Sequence, residues 1–291
     1  MNKRRLRDKI IRFLLRILFG QNKGFYILSE PWDYLIILDA CRYDVFRDII
    51  KKYNLNGKLE YRISRGSNTV EFLLENFGKG YFQDIVYVTA NPYVDLLLKN
   101  KFYRIISVWK YGWNEELNTV HPKEVYKYAL DAIINYPDKR FIIHFMQPHY
   151  PFITAKEIKT TGINRLRHIA LRIKNTNIPS INIWKLVAKG VVSLDYAKLK
   201  YRENLEVALN YVVKLIQHLH GKIIITSDHG EGFGEKIHPL IPKRVYGHLA
   251  HVRIEPLVKV PWYIIEKPGI GKHLKTRAKL RRKILKLRQQ I

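Results

Sequence analysis

Lys222-Ile-Ile-Ile-Thr-Ser-Asp-His-Gly-Glu231 is the stretch whose reading decides the fold. Lys222 to Ile225 reads as a buried strand, after which the chain delivers Thr226, Ser227, Asp228, His229, Gly230 and Glu231. A run of bulky apolar residues that ends in a carboxylate and an imidazole is how an α/β sheet presents ligands at its carboxyl edge. Asp228 and His229 offer a hard oxygen beside a nitrogen, a pairing that suits a divalent transition metal. Gly230 is expected to let the backbone turn sharply behind them. Read in isolation, the pair favours a plainer meaning, an Asp N-cap beside an incidental histidine, so the rest of the chain has to decide.

Outward from this stretch the same pattern returns. Tyr34–Leu38 reads as a buried strand ending at Asp39, and Ile85–Thr89 as another, followed by the turn Ala90-Asn-Pro92. Arg140–Phe145 is a further strand, running into Gln147-Pro-His-Tyr-Pro151, and Val260–Ile265 is the last. Tyr61–Ser64 has the character of a short strand. Helical spacing covers Asp44–Tyr53, Pro122–Asn135 and Tyr196–Leu219. Asn68 and Glu71 stand where a capping pair opens a helix. Strands alternating with helices predict a three-layer α/β sandwich around a mostly parallel sheet. The loops after Leu38, Phe145 and Ile225 then gather at one edge. Asn22–Pro31 reads as a linker, residues 155–192 as a basic insertion or lid, and the segment from Glu231 to His248 as a loop rich in Gly, Pro and His. The catalytic domain is expected over 25–266.

The chain has 291 residues and a net charge of +27, from 52 Lys+Arg against 25 Asp+Glu. Such an excess predicts a polyanionic surface or substrate. A single cysteine, Cys41, excludes an internal disulfide framework. No apolar run reaches the ~20 residues that span a bilayer, and no cleavage site follows the N-terminal apolar stretch, so a cytoplasmic location is expected. Residues 1–24 read as a basic amphipathic helix that lies on an anionic membrane surface or docks on its own domain. Residues 267–291 form a basic tail; together the ends would give a peripheral membrane protein. Nucleic acid is disfavoured as a partner, since no aromatic-basic recognition motif is present. The sequence leaves the oligomeric state open.

Candidate chemistry falls at the strand ends. Asp39, Asp228 and His229 make a plausible metal site with an open position. Thr69 lies at a predicted helix N-terminus, where free amides and the helix dipole favour an anion; it is the candidate nucleophile, with Ser67 the runner-up. His149, between two prolines, would donate to a substrate oxygen or act as general acid. His144 is expected to pack inside. His248 is a candidate second-metal ligand or substrate contact, and Arg42, one turn beyond Asp39, a candidate clamp for a tetraoxyanion.

The motifs Leu-Asp39-Ala-Cys-Arg42-Tyr-Asp44, Gln147-Pro-His149-Tyr-Pro-Phe152, Thr226-Ser-Asp228-His229-Gly-Glu231-Gly-Phe-Gly-Glu235 and Tyr-Gly247-His248 together resemble the alkaline phosphatase/sulfatase superfamily, specifically its sulfatase-like proteins. The resemblance runs from about Asp33 to Trp262. It implies a metal-dependent hydrolase or transferase acting on phosphate or sulfate esters, with Asp39, Thr69, Asp228 and His229 on one metal and His149 and His248 near the substrate. The formylglycine mechanism of sulfatases is not expected, because Ser64-Arg-Gly-Ser-Asn-Thr69 lacks the Cys-x-Pro-x-Arg context. Asp39-Ala40 and Asp228-His229 suit Zn²⁺ or Mn²⁺ better than Ca²⁺. The site looks closer to the phosphotransfer branch. No Asp-x-x-x-His motif follows the Arg140–Phe145 strand, which favours one metal over two. The alternatives are a sulfate-ester hydrolase and a catalytically decayed nucleic-acid- or membrane-binding protein.

Overall fold

Strand β1 (Tyr34–Leu38) becomes the middle of the sheet because both of its faces are apolar: Leu35, Ile36, Ile37 and Leu38 are all fully buried. Each such side chain contributes roughly 1.5–3 kcal/mol of burial free energy. The other strands are β2 (Lys58–Ile63), β3 (Phe82–Thr89), β4 (Phe102–Ser107), β5 (Trp113–Asn114), β6 (Thr119–Val120), β7 (Arg140–Phe145), β8 (Gly221–Thr226), β9 (Gly232–His238), β10 (Ile241–Gly247) and β11 (Lys259–Lys267). Seven of them form the central sheet, in the order β2-β11-β8-β1-β7-β3-β4. The pairings around β1, β7, β3 and β4 are parallel, and β11 runs antiparallel to both β8 and β2. The computed structural model describes residues 17–19, 22–155, 157–158, 160–173, 181–239 and 241–268.

Strand alternation sends the side chains to two cores. On one face Ile36, Leu38, Val86, Val88, Phe141, Ile143, Ile223 and Ile225 pack against the helices Tyr43–Ile50, Pro122–Asn135 and Leu194–Ile216. On the other, Leu35, Ile37, Tyr87, Ile142, Ile224 and Trp262 pack against the helices Thr69–Phe77 and Tyr93–Leu98. This is the three-layer α/β sandwich with a mostly parallel sheet that the alternation predicts.

Three local expectations change. Asn22–Pro31 is no free linker: Ile27 is buried in the second core, and its amide donates to Asn76 Oδ1 at 3.1 Å. The segment after Glu231 is not a loop but the antiparallel hairpin β9–β10, whose register shifts at two places. Strand β4 closes one edge of the sheet where no strand was anticipated. The basic tail lies outside the described residues apart from Lys267, which ends β11, and Pro268, as does the N-terminal helix apart from Ile17–Phe19 and residues 22–24. Among the described residues no helix is long and apolar enough to cross a membrane.

Candidate metal centre

The parallel strands β1, β7 and β8 end side by side, and their ends form the floor of the site. Beyond β1 the chain leaves the sheet at Asp39, whose amide still donates to the Phe145 carbonyl at 3.2 Å. Ala40 then takes φ 58°, a left-handed conformation that costs a β-carbon-bearing residue on the order of 1–3 kcal/mol. Its surroundings hold it there: the Ala40 amide donates to Asp228 Oδ1 at 3.0 Å, and its carbonyl accepts from the Tyr201 hydroxyl at 2.6 Å. The His229 amide also donates to Asp228 Oδ1, at 2.9 Å. The two chain ends are thereby tied to each other. Gly230 serves close approach rather than a left-handed turn, since a β-carbon there would lie 2.0 Å from the Pro256 carbonyl oxygen.

Asp39, Asp228 and His229 are at most 1% exposed. Asp39 Oδ2 accepts from Asn91 Nδ2 at 2.8 Å, while Oδ1 has no hydrogen-bond partner among the described residues. That orphan oxygen lies 3.8 Å from His229 Nε2. Burial pushes the Asp39 carboxyl up, but the imidazoles of His144, His149 and His229 outweigh it and leave it well below the usual carboxylate range. His229 Nδ1 is 2.8 Å from the Gly230 carbonyl, an acceptor only, so Nδ1 donates there and Nε2 is the nitrogen turned to the cluster. Nε2 is 3.3 Å from Asp228 Oδ2 and 3.3 Å from Thr69 Oγ1.

Thr69 is brought to the same point by its helix. Asn68 caps the helix Thr69–Phe77, its side chain accepting from the Glu71 amide at 2.9 Å, so Thr69 is the first helical residue. Its hydroxyl donates to Asp228 Oδ2 at 2.8 Å. Asp39, Thr69, Asp228 and His229, up to 190 positions apart in sequence by their numbers, thus meet in one buried cluster.

A further ligand candidate emerges where only packing was expected. His144 is fully buried, yet its Nε2 lies 3.6 Å from Asp39 Oδ2 and has no other partner among the described residues. Asp39, His144 and Asp228 each offer an atom within 4.8 Å of the other two. Strand parity explains this. Register pairs His144 with both Ile37 and Thr89, and Ile37 with Thr226, so all four side chains share the face that carries Thr69's helix. Asn91 was likewise passed over; its amide fixes Asp39 Oδ2.

His149 and His248 stand at the rim. The His149 amide donates to the Asp39 carbonyl at 3.1 Å, and its Nδ1 contacts the Tyr150 carbonyl. Asn204, buried in the long helix Leu194–Ile216, donates to the carbonyls of Pro148 at 3.2 Å and His149 at 3.1 Å, and accepts from the Ile153 amide at 3.0 Å. The loop is therefore held from below. Burial pushes the His149 imidazole down. His248 Nδ1 lies 2.8 Å from Glu231 Oε1. Burial alone would lower His248, but Glu231 outweighs it and raises it to about 9. The His248 ring centroid is 4.5 Å from that of His229 and 5.2 Å from that of His149.

Two of the sequence candidates are engaged elsewhere. Arg42 donates to both carboxylate oxygens of Asp44 at 2.9 and 2.7 Å, to Glu235 Oε1 at 2.6 Å and to the Glu231 carbonyl at 2.9 Å. Its guanidinium lies 4.2 Å from the Phe233 ring centroid. These partners leave it no free edge for a tetraoxyanion, so the clamp expected one turn beyond Asp39 is a structural cation. Ser67 Oγ contacts Glu71 Oε2 at 2.8 Å and the Leu249 carbonyl at 2.9 Å, which ties it to the helix cap.

A cleft of about 320 Å³ opens over the cluster, lined on its floor by Asp39, Thr69, Asn91, His149 and His248. Its wall comes from the 155–192 segment: Ile163 and the short helix Asn164–Ala170, which adds Arg165, Leu166 and Ile169.

No protein-family model matches the sequence, and no curated protein matches it. Solved structures do. The chain is similar to the C-terminal periplasmic domain of EcEptC from Escherichia coli in complex with Zn, at 12% identity and TM-score 0.47, over 84% of this chain and 76% of that one. It is similar to a putative sulfatase from Bacteroides thetaiotaomicron, at 10% identity and TM-score 0.49, over 84% of this chain and 66% of that one. It is also similar to the lipoteichoic acid synthase LtaP from Listeria monocytogenes, at 10% identity and TM-score 0.44, over 90% and 72%. The likeness is one of fold. The chemistry is read from the site itself.

Proposed function

We propose that the protein is a metal-dependent hydrolase or transferase of phosphate esters that works through a covalent threonine. The observation that carries this reading is the Thr69 hydroxyl: it is buried at a helix N-terminus, bonded to Asp228, and 3.3 Å from Nε2 of His229. Asp39, Asp228 and His229, with Thr69 and with His144 within reach, would hold a divalent cation. The orphan Asp39 oxygen and the unpartnered His144 nitrogen fit such a group. Two carboxylates with imidazole nitrogen suit Zn²⁺ or Mn²⁺ better than Ca²⁺. When bound, the cation supplies Lewis acidity to the hydroxyl and to a nonbridging substrate oxygen.

The chain's own groups do the rest. The Thr69 proton already points at Asp228 Oδ2, which leaves the oxygen lone pairs for attack. The helix N-terminus favours the negative charge that develops there. Attack forms a Thr69 Oγ1–phosphorus bond as the bond to the leaving alcohol breaks. An imidazole at the rim, His149 or His248, donates the proton that the alcohol takes away. Water or an acceptor alcohol then displaces the phosphoryl group and restores the hydroxyl. The test is to incubate the zinc-loaded protein with an aryl phosphate, quench in acid and seek phosphothreonine by mass spectrometry. The modification should fall on Thr69 and vanish in Thr69→Ala; equal turnover by the two proteins would sink the mechanism.

A further inference from the structure

Among the described residues, Arg165 is the only Lys or Arg that lines the cleft. It is exposed, and no carboxylate is paired with it among the described residues. Its helix is anchored from the opposite side. Arg167 Nη1 donates to Glu115 Oε1 at 3.0 Å and its guanidinium lies 4.8 Å from the Trp113 ring centroid. Asn164 Nδ2 donates to Asn118 Oδ1 at 2.9 Å. These contacts fix the helix against the β5–β6 hairpin and leave Arg165 and Leu166 toward the cleft. Ile163, Leu166 and Ile169, spaced three apart, give the same wall an apolar surface. Ile169 is 52% exposed, a large side chain left to solvent beside a polar floor.

A phosphate ester arriving at Thr69 brings negative charge to a floor whose two buried carboxylates already offset the charge of one divalent cation. Arg42 cannot meet that charge, since Asp44 and Glu235 hold it. We propose that Arg165 clamps the anionic group of the substrate. Ile163, Leu166 and Ile169 hold an apolar group attached to it, so the site selects esters with an apolar portion over small hydrophilic ones. This deepens the ester-transfer reading and rests on it.

The experiment uses two non-hydrolysable probes, methylphosphonate and phenylphosphonate, titrated calorimetrically into the zinc-loaded full chain. Wild type should bind phenylphosphonate roughly 10-fold more tightly. Arg165→Gln should weaken both probes about 10- to 100-fold, the range of a lost charge-assisted hydrogen bond, and Arg165→Lys should weaken them less. The double variant Leu166→Ser, Ile169→Ser should erase the phenyl preference. Unchanged affinity in Arg165→Gln, or an undiminished phenyl preference in the double variant, would overturn the assignment. Aryl phosphate turnover, measured alongside, separates the two readings. Loss of phosphonate binding in Arg165→Gln with no turnover in wild type keeps the clamp and removes the transfer chemistry. Turnover with an indifferent Arg165 does the reverse.

Discussion

At and beneath the floor of the cleft, Asp39, His144, Asp228 and His229 are at most 1% exposed; Asn91 holds Asp39, the Tyr87 hydroxyl meets His144, backbone amides hold Asp228, and the Gly230 carbonyl holds His229. On the wall, Arg165 and Ile169 stand on a seven-residue helix, in contact with solvent, and the helix is tied down through other residues. The floor cannot change a residue without disturbing several neighbours. The wall can change its facing side chains while Arg167 and Asn164 keep the helix in place. On the proposed reading, chemistry and choice of substrate fall to elements with different tolerance, and mutations should separate them.

The largest effect is expected at the proposed nucleophile. Thr69→Ala should lower turnover by ~10⁴-fold or more, the scale seen when a covalent nucleophile is removed, with thermal stability little changed; stopped assays on an aryl phosphate read the first and calorimetric melting the second. Next come the ligands. Asp39→Asn and Asp228→Asn should emerge without stoichiometric metal by mass-spectrometric elemental analysis, whereas Asn91→Ala, which only orients Asp39, should weaken metal binding by ~10–100-fold. Metal present in both aspartate variants at wild-type level would remove the floor from the comparison. Chelation of the wild-type protein should lower its melting temperature, since a ligand at 100 times its Kd stabilises by about 2.7 kcal/mol.

Asn204→Ala tests the floor from beneath. It strands the Pro148 and His149 carbonyls, a loss of about 1–3 kcal/mol, and should reduce turnover without touching metal content. Arg42→Met is the smallest and sharpest test. Asp44 and Glu235 are 49% and 31% exposed, so their lost partner should cost only ~1–3 kcal/mol of stability. Phenylphosphonate affinity should stay at the wild-type value. A large loss of affinity there would mean that Arg42, not the wall, meets the substrate.

Most of the floor was legible in the sequence because a strand that ends abruptly in polar residues leaves them at the sheet edge. Asp39, Asp228 and His229 follow that rule, and Thr69 follows the capping signal of Asn68 and Glu71. His144 escaped because one polar residue inside Arg140–Phe145 looks like packing until its parity is compared with Ile142. Arg42 was misassigned because sequence distance from Asp39 does not reveal that Asp44 and Glu235 are nearer partners. The β9–β10 hairpin was hidden by Gly232, Gly234, Pro239 and Pro242, residues that read as a loop. The wall was legible only as a basic insertion, since its apolar side appears when Ile163, Leu166 and Ile169 are brought to one lining.

The left-handed backbone at Ala40 limits what this chain can become. A glycine there would relieve the torsion, but it would also give the unfolded chain more freedom, which works against the folded state by about 0.4–1 kcal/mol. Here the same peptide hands its amide to Asp228 and its oxygen to Tyr201. A looser joint would let Asp39 and Asp228 drift apart, while a valine or threonine would be a strained outlier in that conformation. The residue after Asp39 is thus held between stiffness and fit.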